Sequence, residues 1–385
     1  MASQRMQRVQ DPIIPHIASL IRENPGTISL GQGVVHYPPP AAAASHSAKI
    51  WEDPGNHLYA PVAGIQPLLT ALKAKLNADN AVNLTSDQCL VVTAGGNMAF
   101  LNALFAITEP GDEVILFAPC YFNHEMAITM LGCKAVLVEV DENYQPDIAQ
   151  LQAAITPKTR AIVTNSPNNP TGAVYAEPTL RHINGLCQKQ GIYHINDEAY
   201  EYFIYGETPH FSPAAIAGAA AHTISIFSMS KSFGFAGWRI GYMVAPNALR
   251  TAIEKAQDTN LINATVASQF AALGALEEGA SYPRSFLSGL AKVRQRVVGQ
   301  LATLADKCTV PQTEGAFYLF LKINTDMHAL TLAEQLIKQH KVAVIPGTAF
   351  GMEKACYLRI AYGALEKAKV EEGVRRLVAG IDKLT

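Results

Sequence analysis

Lys231 has unusual neighbours and is the residue of this chain best suited to chemistry. It lies in SMSKSFGFAGWR (228–239), after an apolar, β-branched run and before two glycines. This position, where a strand gives way to a turn, suits an amine nucleophile that forms a Schiff base with a carbonyl compound. Ser228, Ser230 and Arg239 add hydroxyl groups and a forked guanidinium, which bind phosphate oxygens well. A Schiff-base lysine beside a phosphate site suggests pyridoxal phosphate as the cofactor.

Two other interpretations of this segment remain open on its sequence alone. A lone lysine after a strand is most often a solvated turn residue. The string from Ser228 to Lys231 also matches the S-x-x-K pattern of penicillin-binding serine enzymes, in which the serine is the nucleophile. That class needs S-D-N and K-T-G strings as well, and neither occurs in the chain. A serine hydrolase built on Ser228 is therefore the remote alternative.

Two glycine- and aromatic-containing motifs add parts of a cofactor site. TAGGNMAF (93–100) has two glycines between a predicted strand and a predicted helix. Small residues there let backbone N–H groups approach a phosphate at the positive end of the helix. APCY (118–121) ends in Tyr121, which is placed after a strand to stack on a ring. Alone, each motif has a plainer interpretation, a tight turn for the glycines and a core residue for the tyrosine.

Two further motifs carry hydrogen-bonding side chains directly after predicted strands. NSPNNPTG (165–172) contains Asn169, whose amide is suited to donate to the phenolic oxygen of the cofactor. NDEAY (196–200) contains Asp197, which suits the protonated pyridine nitrogen, and Tyr200, a second donor to the phenolate. The plainer interpretations are a loop for the first motif and a helix N-cap for Asp197.

Bulk composition predicts a globular cytoplasmic protein. The chain has 385 residues, 49% of them hydrophobic, which is enough for two domains or one large α/β unit. A net charge of −2 and a pI near 6.6 give no reason to expect nucleic acid or a membrane as a partner. The six cysteines show no metal-ligand spacing and are expected to be reduced thiols. The first residues lack the apolar run of a signal peptide, so a cytoplasmic location is expected.

Strand-like and helix-like segments alternate through the middle of the chain. The predicted strands are 89–94, 113–119, 135–140, 161–165, 192–197, 223–228 and 240–245. The predicted helices between them are 97–107, 122–131, 177–190 and 248–257. Such alternation predicts an α/β fold with a mostly parallel sheet, covered by helices on both faces. Ligands bind beyond the carboxyl ends of the strands in such sheets.

The pattern changes after about residue 285. A long helical stretch is followed by AFYLFLKI (316–323), a helix near 331–340, the short run VAVIPG, YLRIAYG (357–363) and a closing helix near 364–381. This mixture predicts a smaller α+β domain. The predicted domains are therefore a large cofactor-binding domain at 46–284 and a small domain formed by 1–45 with 285–385.

Taken together, the motifs resemble those of the class I/II aminotransferases, which are pyridoxal phosphate enzymes of fold type I. The series GGN, PCY, NNPTG, NDEAY, SMSKSFGFAGWR and LRIAYG occurs in the family's order and approximate spacing. The resemblance runs from SLGQGVVHYPPP (29–40) to LRIAYG (358–363), nearly the whole chain. It implies a large domain with a mostly parallel, seven-stranded type of sheet, a smaller α+β domain, and a homodimer as the active unit.

The resemblance also implies roles around the cofactor ring. Lys231 forms the internal aldimine and then moves the proton between the substrate α-carbon and the cofactor C4′. Asp197 holds the pyridinium proton. Asn169 and Tyr200 bond the ring oxygen, and Tyr121 stacks on the ring.

The remaining implied roles concern the phosphate and the substrate. Arg359 grips the substrate α-carboxylate with a bidentate fork, Asn169 lies beside the substrate, and Gly33 lies over it. Tyr59 reaches across the dimer interface to the phosphate of the neighbouring subunit. Within one subunit, the implied phosphate-binding residues are Gly95, Gly96, Asn97, Ser228, Ser230 and Arg239.

The substrate is less closely defined by the sequence. Aspartate-preferring members of the subgroup often carry a basic residue after the two glycines, where this chain has Asn97. The segment after Gly33 (34–37) is apolar and aromatic, and resembles that of aromatic and methionine aminotransferases. We therefore expect a neutral or aromatic donor of the Phe, Tyr, Trp or Met type and a 2-oxo acid acceptor, by a ping-pong mechanism. The alternatives on the same fold are an aspartate-type aminotransferase and a carbon–sulfur β-lyase.

Overall fold

Helices and strands alternate along residues 3–385, which are the residues that the computed structural model describes. Met1 and Ala2, which begin the predicted small domain, lie outside the described residues. The strands are β1 Ile28–Ser29, β2 Gln88–Thr93, β3 Glu113–Ala118, β4 Lys134–Glu139, β5 Thr159–Asn165, β6 Tyr193–Asp197, β7 Thr223–Ser228, β8 Gly241–Pro246, β9 Cys308–Thr309, β10 Tyr318–Ile323, β11 Val342–Ala343, β12 Ile345–Pro346 and β13 Cys356–Ala361. The α-helices are α1 Gln4–Arg8, α2 Ile13–Glu23, α3 Ala41–Ser47, α4 Gln66–Asn80, α5 Gly96–Ile107, α6 Phe122–Met130, α7 Ile148–Ala154, α8 Glu177–Gln190, α9 Met229–Ser232, α10 Arg250–Asn260, α11 Val266–Glu278, α12 Ser281–Ser285, α13 Leu287–Leu301, α14 Ala329–His340 and α15 Lys367–Leu384.

One sheet contains all seven predicted strands. Its order is β2-β8-β7-β6-β5-β3-β4, and neighbours are parallel except that β8 runs antiparallel to β2 and β7. Strands β2, β3, β7 and β8 are buried at every residue. The apolar runs of β2, β3 and β8 reflect burial on both faces of the sheet, whereas β7 also buries Thr223, Ser225 and Ser228. The predicted mostly parallel sheet is confirmed, with strand ends shifted by at most two residues.

The carboxyl ends of six of these strands lie at one edge of the sheet. Strand β8 starts at this edge, because its first residue, Gly241, pairs with Ser228 at the end of β7. Polar segments therefore meet here from separate parts of the chain, since β2, β5, β6 and β7 each lead into one. This is the edge at which parallel α/β sheets bind ligands.

A smaller antiparallel sheet follows in the chain. Its order is β12-β13-β10-β9, and it packs with α13, α14 and α15 around one apolar core. The short parallel pair of β1 with β11, through Ile28 and Val342, ties the N-terminal segment to this part. The expected smaller α+β unit is confirmed. The exact boundaries at 46–284 and 285–385 stay a prediction.

The helices also follow the predicted pattern, with additions that include α2, α3, α4, α7 and α11. The four helices predicted between the strands correspond to α5, α6, α8 and α10, although α10 begins at Arg250 and continues to Asn260. Helix α11 was not predicted; it packs closely against α3 and also contacts α4. Within residues 3–385, no helix is both long and apolar enough to cross a bilayer.

Candidate active site

Two adjoining cavities lie at the carboxyl edge of the large sheet, and Lys231 lines both. The smaller has a volume of about 140 Å³ and the larger about 370 Å³. The larger cavity includes Gly33 and Arg359, while Tyr59 lines neither and is exposed. The predicted site residues around the smaller cavity are Gly96, Asn97, Tyr121, Asn169, Asp197, Tyr200, Ser228, Ser230, Lys231 and Arg239.

Lys231 is held on a short helix that begins directly after β7. Ser228 is the N-cap of this helix, α9, and its Oγ accepts a hydrogen bond from the Ser230 N–H at 3.2 Å. The Lys231 ammonium Nζ donates to the Gly33 carbonyl oxygen at 2.6 Å. The Tyr37 hydroxyl donates to the Lys231 carbonyl oxygen at 3.1 Å. The lysine is therefore half-buried and fixed at both ends, unlike a solvated turn residue.

The surroundings of Lys231 lower the pKa of its amine. Burial is the largest cause, followed by the positive charges of Arg359 and Arg239, while the negative charge of Asp197 acts in the opposite direction. Together they bring the pKa of Lys231 to about 8. A fraction of the amine is then unprotonated near neutral pH, as nucleophilic attack requires.

We expect Lys231 in the cofactor-free protein to react with a reductive methylation reagent half-maximally near pH 8, as its lowered pKa indicates. Asp197→Asn should lower this pKa further, because the carboxylate stabilises the protonated amine, and Arg359→Gln should raise it. Mass spectrometry of the Lys231 peptide across a pH series measures the profile. Peptides with exposed lysines report the behaviour of the reagent at each pH. A Lys231 profile that matches those peptides, near the pKa of about 10.4 of free lysine side chains, would contradict the assigned environment.

Glycine and arginine build a tight cradle at the start of α5. Gly95 is the N-cap of α5 and has a φ of +81°, and a Cβ there would overlap the Arg239 guanidinium. Arg239 itself has a φ of +56°, a conformation that costs a non-glycine residue roughly 1–2 kcal/mol. Its guanidinium donates to the carbonyl oxygens of Ala236 at 2.9 Å and Ala94 at 3.3 Å. Strain of this kind is typical of functional sites.

Asp197 ends β6 and is buried against a residue that the sequence reasoning missed. Its Oδ2 lies 3.1 Å from Nε2 of His124, which is also buried, and its Oδ1 accepts a hydrogen bond from the Ala199 N–H. The His124 ring packs 4.2 Å from Phe100, centroid to centroid. The contact with His124 and the hydrogen bond from Ala199 hold the Asp197 carboxylate in place.

Asn169 and Tyr200 are buried donors at the boundary between the two cavities. Arg359 Nη1 donates to Asn169 Oδ1 at 2.9 Å. Because a guanidinium can only donate, the amide must turn its oxygen to Arg359, which leaves its NH₂ group available to the cavity. The Tyr200 hydroxyl lies 2.8 Å from the Tyr318 hydroxyl, and burial raises its pKa well above the usual range. Tyr200 is therefore a protonated donor at neutral pH.

Arg359 lies on β13 of the small sheet and its guanidinium points into the larger cavity. It is 2% exposed, and its Nη2 donates to the Gly31 carbonyl oxygen at 2.5 Å. Its guanidinium carbon lies 4.7 Å from the ring centroid of Tyr318 and 5.1 Å from that of Phe350. Its Nε is buried without a hydrogen-bond partner among residues 3–385. A buried unsatisfied guanidinium nitrogen is costly, which indicates a site for an anionic ligand.

Part of the lining of the larger cavity is apolar. Its lining includes Ile13 and Ile14 of α2, and Phe122 and Met126 of α6. The sequence reasoning did not select these residues, because two segments more than a hundred positions apart come together only in the folded chain. The sequence feature that could have indicated the α2 part of this lining is the apolar first turn of α2, with Ile13 and Ile14.

The donor set of the smaller cavity fits pyridoxal phosphate. The Ser228 and Ser230 hydroxyls, the Arg239 guanidinium and the start of α5 suit a phosphate group. The Asp197 carboxylate suits a protonated pyridine nitrogen. Ser228 acts as a helix cap in the structure, so the serine-hydrolase alternative gains no support.

Comparison with known proteins agrees with this site. A family model described as aminotransferase class I and II matches residues 25–377. The chain is 35% identical to aromatic aminotransferase ISS1 of Arabidopsis thaliana, over 100% of this chain and 97% of that protein. It is 34% identical to a probable aspartate/prephenate aminotransferase of Aquifex aeolicus, over 86% of this chain and 85% of that protein.

A solved structure has the same overall fold. A single mutant of Thermus thermophilus aspartate aminotransferase superposes with a TM-score of 0.90 and 29% sequence identity, covering 99% of both chains. The family match spans most of the chain, and the fold and cofactor chemistry agree with it. The chain therefore belongs to the class I and II aminotransferases and is a pyridoxal-phosphate-dependent aminotransferase of fold type I.

Proposed function

We propose that this aminotransferase moves the amino group of a neutral or aromatic L-amino acid to a 2-oxo acid by a ping-pong mechanism. The observation that carries this proposal is the larger cavity, in which a buried arginine, Arg359, faces an apolar wall of Ile13, Ile14, Phe122 and Met126. An α-carboxylate at the arginine would direct the side chain of the substrate toward that wall.

The chain's own residues would hold the cofactor in the smaller cavity. When bound, pyridoxal phosphate supplies an aldehyde that reacts with amines and a ring that withdraws electrons from the substrate Cα–H bond. Asp197 would keep the pyridine nitrogen protonated. Asn169 and Tyr200 would donate to the ring oxygen, and Tyr121 would stack on the ring. The residues proposed for the phosphate are Gly95, Gly96, Asn97, Ser228, Ser230 and Arg239.

Lys231 would carry the proton in the reaction. Its Nζ, as the free amine, would take the proton from the substrate Cα and pass it to the C4′ atom of the cofactor. The lowered pKa of about 8 supports this role, because a general base works best when its pKa lies near the working pH. In the cofactor-free chain the Gly33 carbonyl oxygen, 2.6 Å from Nζ, orients the amine.

Arg359 would bind the α-carboxylate of donor and acceptor alike. Its contacts with Asn169 and Gly31 fix the guanidinium plane. A fork of donors recognises a planar carboxylate better than a single ammonium does. The Tyr318 and Phe350 rings support this charge in a buried position.

The lining of the larger cavity argues against a second carboxylate on the donor. Among residues 3–385, the lysine and arginine side chains that line it are Lys231 and Arg359, both already assigned. An aspartate side chain would face the apolar wall without a cation, and burial of an unpaired charge is costly. Asn97 lines the smaller cavity, where its Oδ1 accepts a hydrogen bond from the Tyr121 hydroxyl at 3.3 Å.

An aspartate-type activity is the second candidate, because relatives named as aspartate or aspartate/prephenate aminotransferases match the chain at similar identity. A carbon–sulfur β-lyase on the same fold would share the first proton transfer but would release ammonia. A panel of amino donors distinguishes an aspartate-type activity from the proposed neutral or aromatic donor class. Measurement of released ammonia distinguishes a β-lyase from an aminotransferase.

In a donor panel with one 2-oxo acid acceptor, we expect kcat/KM for phenylalanine, tyrosine, tryptophan or methionine to exceed that for aspartate. Met126→Lys should raise kcat/KM for aspartate by about tenfold, since it places a cation in the apolar wall that the donor side chain is proposed to face. Met126→Leu is the control, because it changes the same position without adding charge. Aspartate as the best donor of the unaltered enzyme would overturn the proposed donor class.

We further propose a homodimer in which Tyr59 contacts the phosphate of the neighbouring subunit. Members of this family are typically dimers. In the single chain Tyr59 is 83% exposed, and Trp51 and Leu58 nearby are 78% and 71% exposed. Large apolar side chains exposed together favour an interface. A mass of 41.4 kDa in light scattering, the mass of one chain, would contradict the dimer.

A further inference from the structure

A buried ion pair lies directly behind the cofactor cavity. Lys75 of α4 and Glu201, in the turn after β6, are each 9% exposed. The Lys75 Nζ and Glu201 Oε2 atoms are 2.5 Å apart. Asn80 joins both partners, since its Oδ1 accepts from Lys75 at 2.8 Å and its Nδ2 donates to Glu201 at 2.7 Å. The three side chains form a closed polar cluster.

Aromatic rings surround the ammonium of this cluster. Lys75 Nζ lies 5.0 Å from the Phe227 ring centroid, 5.2 Å from that of Tyr202 and 6.0 Å from that of Tyr242. The Phe227 and Tyr242 rings are stacked on each other, with centroids 5.0 Å apart. Cation–π attraction at such desolvated positions adds to the ion pair. The ammonium is thereby attached to β7 and β8 as well as to Glu201.

Three residues that contact Lys75 are each adjacent in sequence to a residue of the cofactor cavity or of its glycine–arginine cradle. Glu201 follows Tyr200, and Phe227 precedes Ser228, two residues that line the smaller cavity. Tyr242 follows Gly241, which packs so closely against Gly95 and Gly96 that a Cβ there would lie 2.7 Å and 2.8 Å from their backbone atoms. The cluster therefore holds the elements proposed to bind the ring oxygen and the phosphate.

We propose that Lys75 and Glu201 are positioning residues, which set the spacing between Tyr200 and the Ser228 end of β7 and so determine cofactor affinity. Neither side chain lines the cofactor cavity, so they act through the residues beside them. The inference rests on the proposed roles of Tyr200 and Ser228 toward the cofactor. It does not depend on which amino acid is the donor.

Removal of one partner should disturb this spacing. In Lys75→Met the Glu201 carboxylate stays buried and keeps only Asn80, and a buried charge without its partner is strongly unfavourable. A shift of this carboxylate toward solvent would move the turn that carries Tyr200, the residue before Glu201. Lys75→Arg keeps the charge. The double variant Lys75→Met/Glu201→Gln removes both charges, which is much less harmful to folding than one unpaired charge.

The test titrates cofactor-free protein with pyridoxal phosphate, follows the absorbance, and measures the midpoint of thermal unfolding of the same samples. We expect the Kd to rise by about tenfold or more in Lys75→Met and in the double variant, and by less than about threefold in Lys75→Arg. The double variant keeps the test valid if Lys75→Met does not fold.

Asn184→Ala is the matched control for a buried polar network on the same strands. The Asn184 amide bonds Thr223 at 2.7 Å and His222 at 3.0 Å, at the amino end of β7, opposite the cofactor edge. It should lower the unfolding midpoint and leave the cofactor Kd unchanged. If the Lys75 and Glu201 variants behave like this control, the pair is only structural and the proposal is wrong. The ratio of kcat/KM for phenylalanine over aspartate should stay the same in all variants. In the unaltered enzyme this ratio tests the proposed donor class, so that proposal can fail independently of the proposal on cofactor affinity.

Discussion

Lys231→Ala is expected to abolish transamination, with a loss in kcat on the order of 10⁴-fold or more. The variant removes the residue proposed both to attach the cofactor and to move the substrate proton, and a positioned base alone contributes about 10²- to 10⁴-fold. The purified protein should also lose the visible absorption band that the attached cofactor gives. Absorbance spectra and initial rates with phenylalanine measure both effects.

The exposed lysine variant Lys354→Ala serves as the control, since that side chain is 90% exposed and pairs only with Glu139 at the surface. It should keep the band and the rate. If Lys231→Ala kept the same absorption band and activity as this control, the nucleophile would be another residue. Unfolding midpoints of both variants establish that a lost band does not reflect a lost fold.

Arg359→Gln is expected to lower kcat/KM for amino acid donors by on the order of 10²- to 10³-fold. The change removes the charge and the fork proposed for the α-carboxylate, and loss of one partner of a buried charged pair costs about 2–5 kcal/mol. Glutamine keeps an N–H donor but is shorter than arginine, so it cannot keep both the Asn169 and the Gly31 contact. Arg359→Lys should have a kcat/KM between those of the wild type and Arg359→Gln, because it keeps the charge without the planar fork.

An amine without a carboxylate, 2-phenylethylamine, provides the matched substrate for this variant. We expect its slow reaction to be the same in wild type and Arg359→Gln, since neither complex contains the carboxylate contact. A loss of equal size for phenylalanine and for 2-phenylethylamine would mean that Arg359 supports the cofactor or the fold. In that case the assignment to the carboxylate would be wrong.

Most of the large sheet was predictable because its strands are buried on both faces. Strands such as β3, Glu113–Ala118, contain an unbroken apolar run from Val114 to Ala118, and the helices between them follow a clear pattern. The rule that ligands bind at the carboxyl ends of parallel strands then brought Asn169, Asp197 and Lys231 to one edge. Local pattern and topology were enough for these residues.

Contacts between distant segments were not predictable. Lys231 and the Gly33 carbonyl are 198 positions apart, and Arg359 and the Gly31 carbonyl are 328 apart. These bonds depend on how the N-terminal segment lies over the site, which no local pattern defines. Backbone carbonyl acceptors such as those of Gly31 and Gly33 cannot be recognised from side-chain types, so the glycine-containing turn did not predict these hydrogen bonds.

His124 and Lys75 were missed for a related reason. Each lies on a helix, where a lone histidine or lysine is usually a surface residue. Only the packing of α6 against the site edge puts His124 beside Asp197, and only the packing of α4 puts Lys75 beside Glu201, 126 positions away. Helix α11 was missed because its residues are largely buried around the helix, which weakens the amphipathic pattern.

The most direct test of the central claim is a half-reaction without acceptor. Holoenzyme is mixed with phenylalanine, and phenylpyruvate, free ammonia and the visible band are measured together. We expect phenylpyruvate in an amount equal to the active sites, no free ammonia, and loss of a visible band that returns when a 2-oxo acid is added. Release of ammonia, or loss of the band with aspartate but not with phenylalanine, would contradict the proposed activity.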